Sequence, residues 1–288
     1  MPCHRPLTQF HARAVALAEQ LEALARQVWS EPWEIIVADN GSTDDTAAIF
    51  ERYRVRLPSL RLVDASDRRG AAHSRNVGAR AARGEMLAFI DADDVAAPDW
   101  VSAIGQAVAT HGFVCSRFEF DQLNDPWAVS IRAPAQDAGV QVYRYPPFLP
   151  HAGGCGLGIR RDLHEAVGGF DEALPALEDT DYCFRVQLRG TPLCFAPDAV
   201  VHIRYRTTLH SIYAQARCWG KMNVLLYKRY RPLGMPALTW QSGMSAWWRL
   251  LTSLPFQRTQ LSFARWLWRF GWRLGRLQGC LEYRVLAL

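Results

Sequence analysis

Two short apolar runs, each ending in an acid, constrain this chain more than any other feature. The first is Glu34-Ile35-Ile36-Val37-Ala38-Asp39, followed by Asn40-Gly41-Ser42-Thr43-Asp44. The second is Met86-Leu87-Ala88-Phe89-Ile90, followed by Asp91-Ala92-Asp93-Asp94. A continuous apolar run this short reads as a buried strand. The residues after Asp39 then read as a turn and a helix N-cap. Around these runs lie helical patterns. Residues 11–29 carry Val15, Leu17, Leu21, Leu24 and Val28 at helical spacing. A helix follows to about Arg54, a short strand runs from Leu60 to Val63, and an Ala-rich helix from Gly70 to Arg83 is closed by Gly84. Asp99 to Ala109 is again helical. Alternating strands and helices with short loops predict an open, mostly parallel α/β sheet with helices on both faces. Ligands of such sheets bind beyond the carboxyl ends of the strands, so both acidic turns should open on one crevice.

The length of 288 residues and the 49% apolar content allow a sizeable core in one large domain or two small ones. The net charge of +5 is unevenly spread: from Lys228 onward ten basic residues face a single acid, Glu282. The first 227 residues are therefore mildly acidic and the tail strongly basic, a charge pattern that suits nucleic acid, anionic lipid or an acidic partner. Seven cysteines without a Cys-x-x-Cys pair argue against a zinc ribbon or disulfide framework and fit a reducing compartment. No leader-like apolar stretch opens the chain, and no run of about 18 apolar residues occurs. The expected location is cytoplasmic, peripheral to the inner face of the cell membrane.

Downstream, residues 113–150 are less periodic and read as sheet edge and loops. A Gly-rich stretch covers Gly153 to Gly158. Glu178-Asp179-Thr180-Asp181 opens a helix through Leu188. Short strands are expected at Leu193–Phe195 and Val200–Ile203, and a long helix over Thr207–Tyr230.

Three carboxylates packed at one strand end repel each other unless a cation offsets them. Hard divalent ions such as Mg²⁺ or Mn²⁺ suit that chemistry. A solvated acidic turn is the plain alternative. The surrounding residues favour the first reading. Arg69-Gly70, Ser74-Arg75-Asn76-x-Gly78 and Gly84-Glu85 leading into Asp91-Ala92-Asp93-Asp94 resemble the donor-binding half of family 2 glycosyltransferases with a GT-A, Rossmann-like fold. Val37 to Asp44 resembles that family's first acidic turn. Gly168-Gly169-Phe170-Asp171-Glu172 followed by Glu178-Asp179-x-Asp181 resembles its acceptor-side motif. His202 falls where the family places a metal-ligand histidine. The pieces occur in the family's order over residues 33–230.

The resemblance implies roles. Asp39 would contact the base or ribose, Arg75 and Asn76 would line the donor site, and Asp91 would touch the donor directly or through the metal shell. Asp93 and His202 would hold a Mg²⁺ or Mn²⁺ ion. Asp179 would be the catalytic base, with Glu178 beside it. The reaction implied is transfer of a hexose from a nucleoside-diphosphate sugar to a glycan or lipid-linked acceptor hydroxyl, with inversion. Each residue also has a plain reading: Asp179 as a helix-dipole acid, His202 as a structural histidine, Arg75 as a surface cation. The family's fold begins with an apolar strand and a Pro-containing turn. Met1-Pro2-Cys3-His4 is similar to that turn, but no apolar strand precedes it, so the base-binding half is expected to lack its first strand.

The implied organisation is a transferase unit over 1–230, with a nucleotide-sugar half at 33–110 and an acceptor half at 111–230, then a helical extension over 231–288. Six of the eleven tryptophans fall between Trp240 and Trp272. On a helix, Arg258, Arg265, Arg269, Arg273 and Arg276 share an arc of about 80°. Phe263, Trp266, Leu267, Phe270, Leu274, Leu277 and Leu281 form another face about 120° round. Residues 258–281 are therefore expected to lie on an anionic membrane surface, the alternative being a helix packed on the catalytic unit. Three rival functions stand beside the transferase: a degenerate, non-catalytic membrane-associated binding protein, a sugar nucleotidyltransferase, and a nucleic-acid binder. The acidic crevice argues against the last.

Overall fold

The computed structural model describes residues 10–132 and 135–287; the N-terminal turn read at Met1 to His4 lies outside them. Its elements run α1 (Phe10–Ala25), β1 (Ile35–Asp39), α2 (Thr46–Arg54), β2 (Leu60–Asp64), α3 (Ala71–Ala81), β3 (Met86–Phe89), β4 (Val95–Ala96) and α4 (Trp100–His111). They continue with β5 (Phe113–Glu119), α5 (Pro126–Ser130), β6 (Leu157–Arg160), α6 (Arg161–Ala166), α7 (Glu178–Leu188) and β7 (Cys194–His202). Three long helices close the chain: α8 (Leu209–Tyr230), α9 (Trp240–Ser253) and α10 (Gln260–Tyr283).

The strands form two sheets. β1 and β2 pair in parallel, Ile35 opposite Leu60 through Asp39 opposite Asp64. The larger sheet has the order β3-β6-β5-β7-β4. Within it β5 and β7 are parallel, while β6 runs against both its neighbours and β4 runs against β7. β3, β5 and β7 thus share one direction, and β6 and β4 are the reversed strands. Among the described residues no ladder joins β1 to β3.

β5 corrects one expectation. It is the central strand of its sheet rather than an edge. Phe113, Val114, Cys115 and Ser116 are all buried because the strand is covered on both faces. A strand buried on both faces shows no alternation, which hides it from a period-two reading. The two short strands expected near residues 193 and 203 are one strand, β7, with a register shift opposite Ser116 and Arg117.

Packing fixes the layers. Leu17, Leu21 and Leu24 of α1 join Phe50, Tyr53, Trp100 and Ile104 in one core cluster. Burying side chains of this size contributes about 1.5–3 kcal/mol each. Polar contacts orient α1 as well: Gln20 Oε1 accepts the Ala96 N–H at 2.9 Å, and Gln27 Nε2 donates to the Ala97 carbonyl at 2.8 Å. α1 is thereby tied to the strand that follows the acidic turn. α8 and α10 pack along their lengths, across the expected boundary at residue 230. Their backbones meet closely at glycines. A Cβ on Gly275 would sit 1.9 Å from the Arg217 carbonyl oxygen, and one on Gly220 would sit 2.1 Å from that of Trp272.

The tail differs from the expected single amphipathic stripe. Arg276 is buried, donating to Asn223 Oδ1 and to the Ala287 carbonyl. Trp266 is buried too, and its indole donates to the Leu250 carbonyl of α9 at 2.9 Å. Phe263, Trp266 and Phe270 stack along α10 with centroid spacings of 6.1 and 5.0 Å. The middle of the apolar face of α10 is therefore covered by α9, a helix the 258–281 pattern could not reveal. No described helix is long and apolar enough to cross a membrane.

Candidate active site

The two acidic turns are built differently. At the end of β1, Asp39 Oδ1 accepts the Ser42 N–H at 2.8 Å, a local turn that fixes its carboxylate. Asn40 ties this turn to the loop after β2: its amide donates to the carbonyls of Ala65 (2.5 Å) and Arg68 (2.7 Å), and its Oδ1 accepts the Gly70 N–H at 2.9 Å.

At the end of β3 the chain turns through Asp91 to Asp94 before β4. Asp94 is buried, and its Oδ1 accepts the Arg204 N–H at 2.8 Å. Burial first, then the charges of Asp91 and Asp93, push its carboxyl well above the usual carboxylate range, against that N–H and the Cys155 thiol. Arg204 Nε also donates to the Asp93 carbonyl at 3.0 Å. The segment after β7 is thus clamped onto the acidic turn. Asp94, which no role was assigned from the sequence, is the clamp.

His202 ends β7 opposite Val95, the residue after Asp94. Its Nδ1 lies 2.5 Å from Glu119 Oε2. An imidazole held by a carboxylate on one nitrogen presents the other in a fixed direction, the usual arrangement around a metal-ligating histidine. Burial disfavours the Glu119 charge, but His202 and the N–H groups of Asp121 and Gln122 outweigh it and lower the pKa.

Arg75 projects from α3 into the middle of the acids. Nη2 donates to Asp91 Oδ1 at 2.7 Å and Nη1 to Glu178 Oε1 at 2.8 Å. Burial opposes its charge, yet Asp91, Glu178 and Asp179 together raise its pKa. Gly154 makes room for the guanidinium: a Cβ there would come within 2.7 Å of it. Glu178 is itself buried, and burial followed by the Asp179 charge raises its pKa against the pull of Arg75. Asp179 Oδ2 accepts the Gly154 N–H at 2.9 Å, and Oδ1 accepts the Thr180 N–H at 2.7 Å. Leu177, just before the helix, holds φ 59°, a left-handed backbone that costs a residue with a Cβ about 1–2 kcal/mol. This is the strained point that aims Glu178 and Asp179.

Asp91, Arg75 and Glu178 are therefore one hydrogen-bonded unit, with Asp179 next to Glu178 but held separately by the Gly154 and Thr180 N–H groups; Arg204 contacts the Asp93 backbone, and His202 pairs with Val95. Asn76 does not join them. Its Nδ2 donates to the Phe170 carbonyl (2.9 Å) and Glu172 Oε1 (2.8 Å), and its Oδ1 accepts the Phe170 N–H (2.8 Å). Its amide holds the Gly168–Glu172 loop against α3. A cavity of about 630 Å³ is lined by Asn76, Arg80, His164, Arg185 and the Gly168–Glu172 loop of the expected acceptor-side motif, and by none of Asp39, Arg75, Asp91, Asp93, Glu178, Asp179 or His202.

Two crevice residues went unassigned in the sequence. Cys155, in the Gly-rich loop, places its sulfur within 4.8 Å of carboxylate oxygens of Asp91 and Asp94. Burial, then those two acids, raises its thiol pKa well above normal. His151, pushed down to about 4 by burial, lies in the field of Asp179. Only the Gly-rich spacing pointed to Cys155, and nothing in the sequence pointed to His151.

The glycosyl transferase family 2 model matches residues 8–168, more than half of the chain, and the chain belongs to that family. The pre-mycofactocin glycosyltransferase of Mycobacterium tuberculosis is 25% identical over 99% of this chain and 60% of its own length. An uncharacterized Haemophilus influenzae glycosyltransferase is 25% identical over 58% of this chain and 55% of its own. The chain thus spans about half, or less, of the length of the first curated relatives it matches, down to 22% for Bacillus subtilis YfnE. Among solved structures, a mannosyltransferase from Pyrobaculum calidifontis in complex with GDP-Man and Mn²⁺ aligns over 93% of this chain and 84% of its own, with TM-score 0.64 and 20% identity. S. aureus TarS 1–349 in complex with UDP aligns over 94% and 88%, with TM-score 0.50 and 17% identity. These likenesses carry the GT-A fold.

Proposed function

We propose that this chain transfers a hexose from a nucleoside-diphosphate sugar to an acceptor hydroxyl, with inversion and with the help of a divalent cation. The observation that carries the proposal is the Asp91–Arg75–Glu178 link with Asp179 beside it. It couples the turn expected at the donor diphosphate to the carboxylate expected at the acceptor.

The donor set suits a hard cation. Asp91 and Asp93 supply carboxylate oxygen, and Glu119 leaves Nε2 of His202 to coordinate. These are the residues that would hold Mg²⁺ or Mn²⁺; when bound, the ion supplies Lewis-acid stabilisation of the diphosphate leaving group. Solved structures of this fold are complexes with GDP-Man and Mn²⁺ or with UDP, which supports a nucleotide-sugar donor here. Asp39, at the mouth of β1, takes the base or ribose. Asp179 accepts the proton of the attacking hydroxyl. Its two N–H partners hold the carboxylate in place, and such a positioned base contributes about 10²–10⁴ in rate. Arg75 pairs with Glu178 and offsets part of its repulsion with Asp179. Inversion follows from a single displacement that needs no covalent carboxylate nucleophile. A cytoplasmic location belongs to the same proposal.

The test is thermal melting with UDP or GDP and Mn²⁺, beside a panel of nucleotide-sugar hydrolysis and transfer assays. The wild type should be stabilised by nucleotide only when Mn²⁺ is present, and Asp93→Ala should lose that response. Asp179→Asn should keep the response and lose turnover. Nucleotide stabilisation that needs no metal and survives Asp93→Ala would sink the proposal.

A further inference from the structure

Outside the crevice, the most unusual surface of the protein is the outer face of α9 and the turn that follows it. Met244, Trp248 and Leu251 are exposed, and at 100° per residue they share an arc of about 60°. Leu254, Pro255 and Phe256, in the turn that directly follows the helix, are exposed as well. Trp248 is 72% and Phe256 71% accessible. The other side of α9 is well used. Leu250 is buried and accepts the Trp266 indole N–H, and Trp247 packs edge-on against Phe270 at 6.4 Å. The helix is therefore held firmly with its large apolar side chains turned outward. Scattered apolar residues on a surface need no explanation, but five large ones on the ridge of one helix and in the turn directly after it do.

We propose that this ridge docks on an anionic lipid surface. The charge around it selects that occupant. Arg249, Arg258, Arg265 and Arg269, on α9 and the turn and first half of α10 beside it, are all exposed, and the stretch from Lys228 to the end holds a single acid, Glu282. That acid lies near the far end of α10 and is paired with Lys221 at 2.7 Å. A protein partner or a second copy of this chain would meet the arginines with acids of its own. In this chain the matching apolar ridge is bordered by arginine, so self-pairing brings like charges together. An amphipathic segment with outward Trp and Phe, free of acids and flanked by arginine, binds a bilayer by burying the apolar side chains at the headgroup boundary while the cations attract anionic lipid. The apolar contact is therefore made by the α9 ridge and not by the apolar face expected over 258–281, whose Trp266 lies inside the protein; of the expected arginine stripe, Arg258, Arg265 and Arg269 stay outside and Arg276 does not. This inference is independent of the transferase reading, and either survives failure of the other.

The test is flotation of the full chain with vesicles of phosphatidylcholine alone and of phosphatidylcholine with 30% phosphatidylglycerol. The wild type should float with the anionic vesicles, stay behind with the neutral ones, and dissociate as salt rises. Trp248→Ser with Phe256→Ser should lower partitioning about tenfold or more, while circular dichroism and melting stay those of the wild type. Arg258→Glu with Arg269→Glu should remove the preference for anionic lipid. Equal flotation of the double-serine protein would overturn the proposal, as would a wild type that stays behind with both vesicles. A lipid-free dimer in sedimentation that the serine changes dissolve would assign the ridge to a second copy and overturn it too.

Discussion

Replacing Arg75 with methionine tests the site's central link by stability rather than turnover. The guanidinium is 11% exposed, and Glu178, its partner at 2.8 Å, is 12% exposed. Asp91, its other partner, is 41% exposed and solvent takes over most of that loss, so the penalty falls on Glu178. Removing one member of a buried ion pair costs about 3–5 kcal/mol, because the other charge is left without a partner. For a chain of this size each kcal/mol lowers Tm by about 2–4 °C, so Arg75→Met should lower it by about 6–20 °C. The pH dependence carries the sharper signature. Burial and Asp179 already raise the Glu178 pKa above 4.5, with Arg75 opposing them; without Arg75 it rises further. A carboxyl whose folded pKa is raised leaves stability intact below its unfolded value and withdraws it as pH climbs through the folded value. The deficit of Arg75→Met against wild type should therefore be small near pH 5 and grow toward pH 8. Adding Glu178→Gln should restore most of the lost Tm. Melts at pH 5, 6.5 and 8 followed by circular dichroism provide the comparison. A deficit under 2 °C at pH 8, or one as large at pH 5, would refute the reasoning.

Other consequences follow from single contacts. Glu119→Gln removes the charge that orients His202, and should weaken Mn²⁺ affinity about 10–100-fold with little change in melting of the metal-free protein; calorimetric titration of Mn²⁺ with nucleotide present reads it. Asp94→Asn tests the clamp on Arg204: since the Asp94 pKa is raised by burial and by Asp91 and Asp93, stability should fall as pH rises through it in the wild type and lose that slope in the variant, as melting between pH 5 and 8 would report. Gly275→Val places a side chain where the Arg217 carbonyl stands, and the forced separation of α8 and α10 should cost about 1–3 kcal/mol or more by urea denaturation.

Much of this was legible before any coordinates. Apolar runs ending at Asp39 and Asp91 announced β1 and β3, although neither is buried on both faces: only Ile35 of β1 is fully buried, and β3 alternates exposed Met86 and Ala88 with buried Leu87 and Phe89. The helix at Glu178–Leu188 was legible to the residue, since a cluster of acids complements the N-terminal dipole. The roles of Asp93, His202 and Asp179 came from the resemblance to family 2 glycosyltransferases rather than from a local pattern, and they belong to the proposed function.

Other features had no local signal. β5 carries too little alternation to separate a central strand from an edge. Asn76 and Arg75 are neighbours on one helix with similar polarity, yet one turns to the Phe170 loop and the other to Asp91 and Glu178, a choice set by which surface each faces after packing. Asp94 and Asp93 are likewise adjacent; burial against Arg204 makes only the first a structural clamp. The arginine stripe of α10 was correctly periodic, but periodicity does not say which face meets protein. Glycines along α8 and α10 let the backbones close, α9 covers Trp266, and the apolar surface left outside belongs to α9. Local patterns of polarity announced most of the elements and their order, but not β5 as a central strand, β7 as one strand or the helix that covers α10. Tertiary structure alone settled which carboxylates pair with Arg75, which side chains are consumed in holding loops, and which apolar face remains outward, because each depends on residues far apart in the chain competing for the same partner.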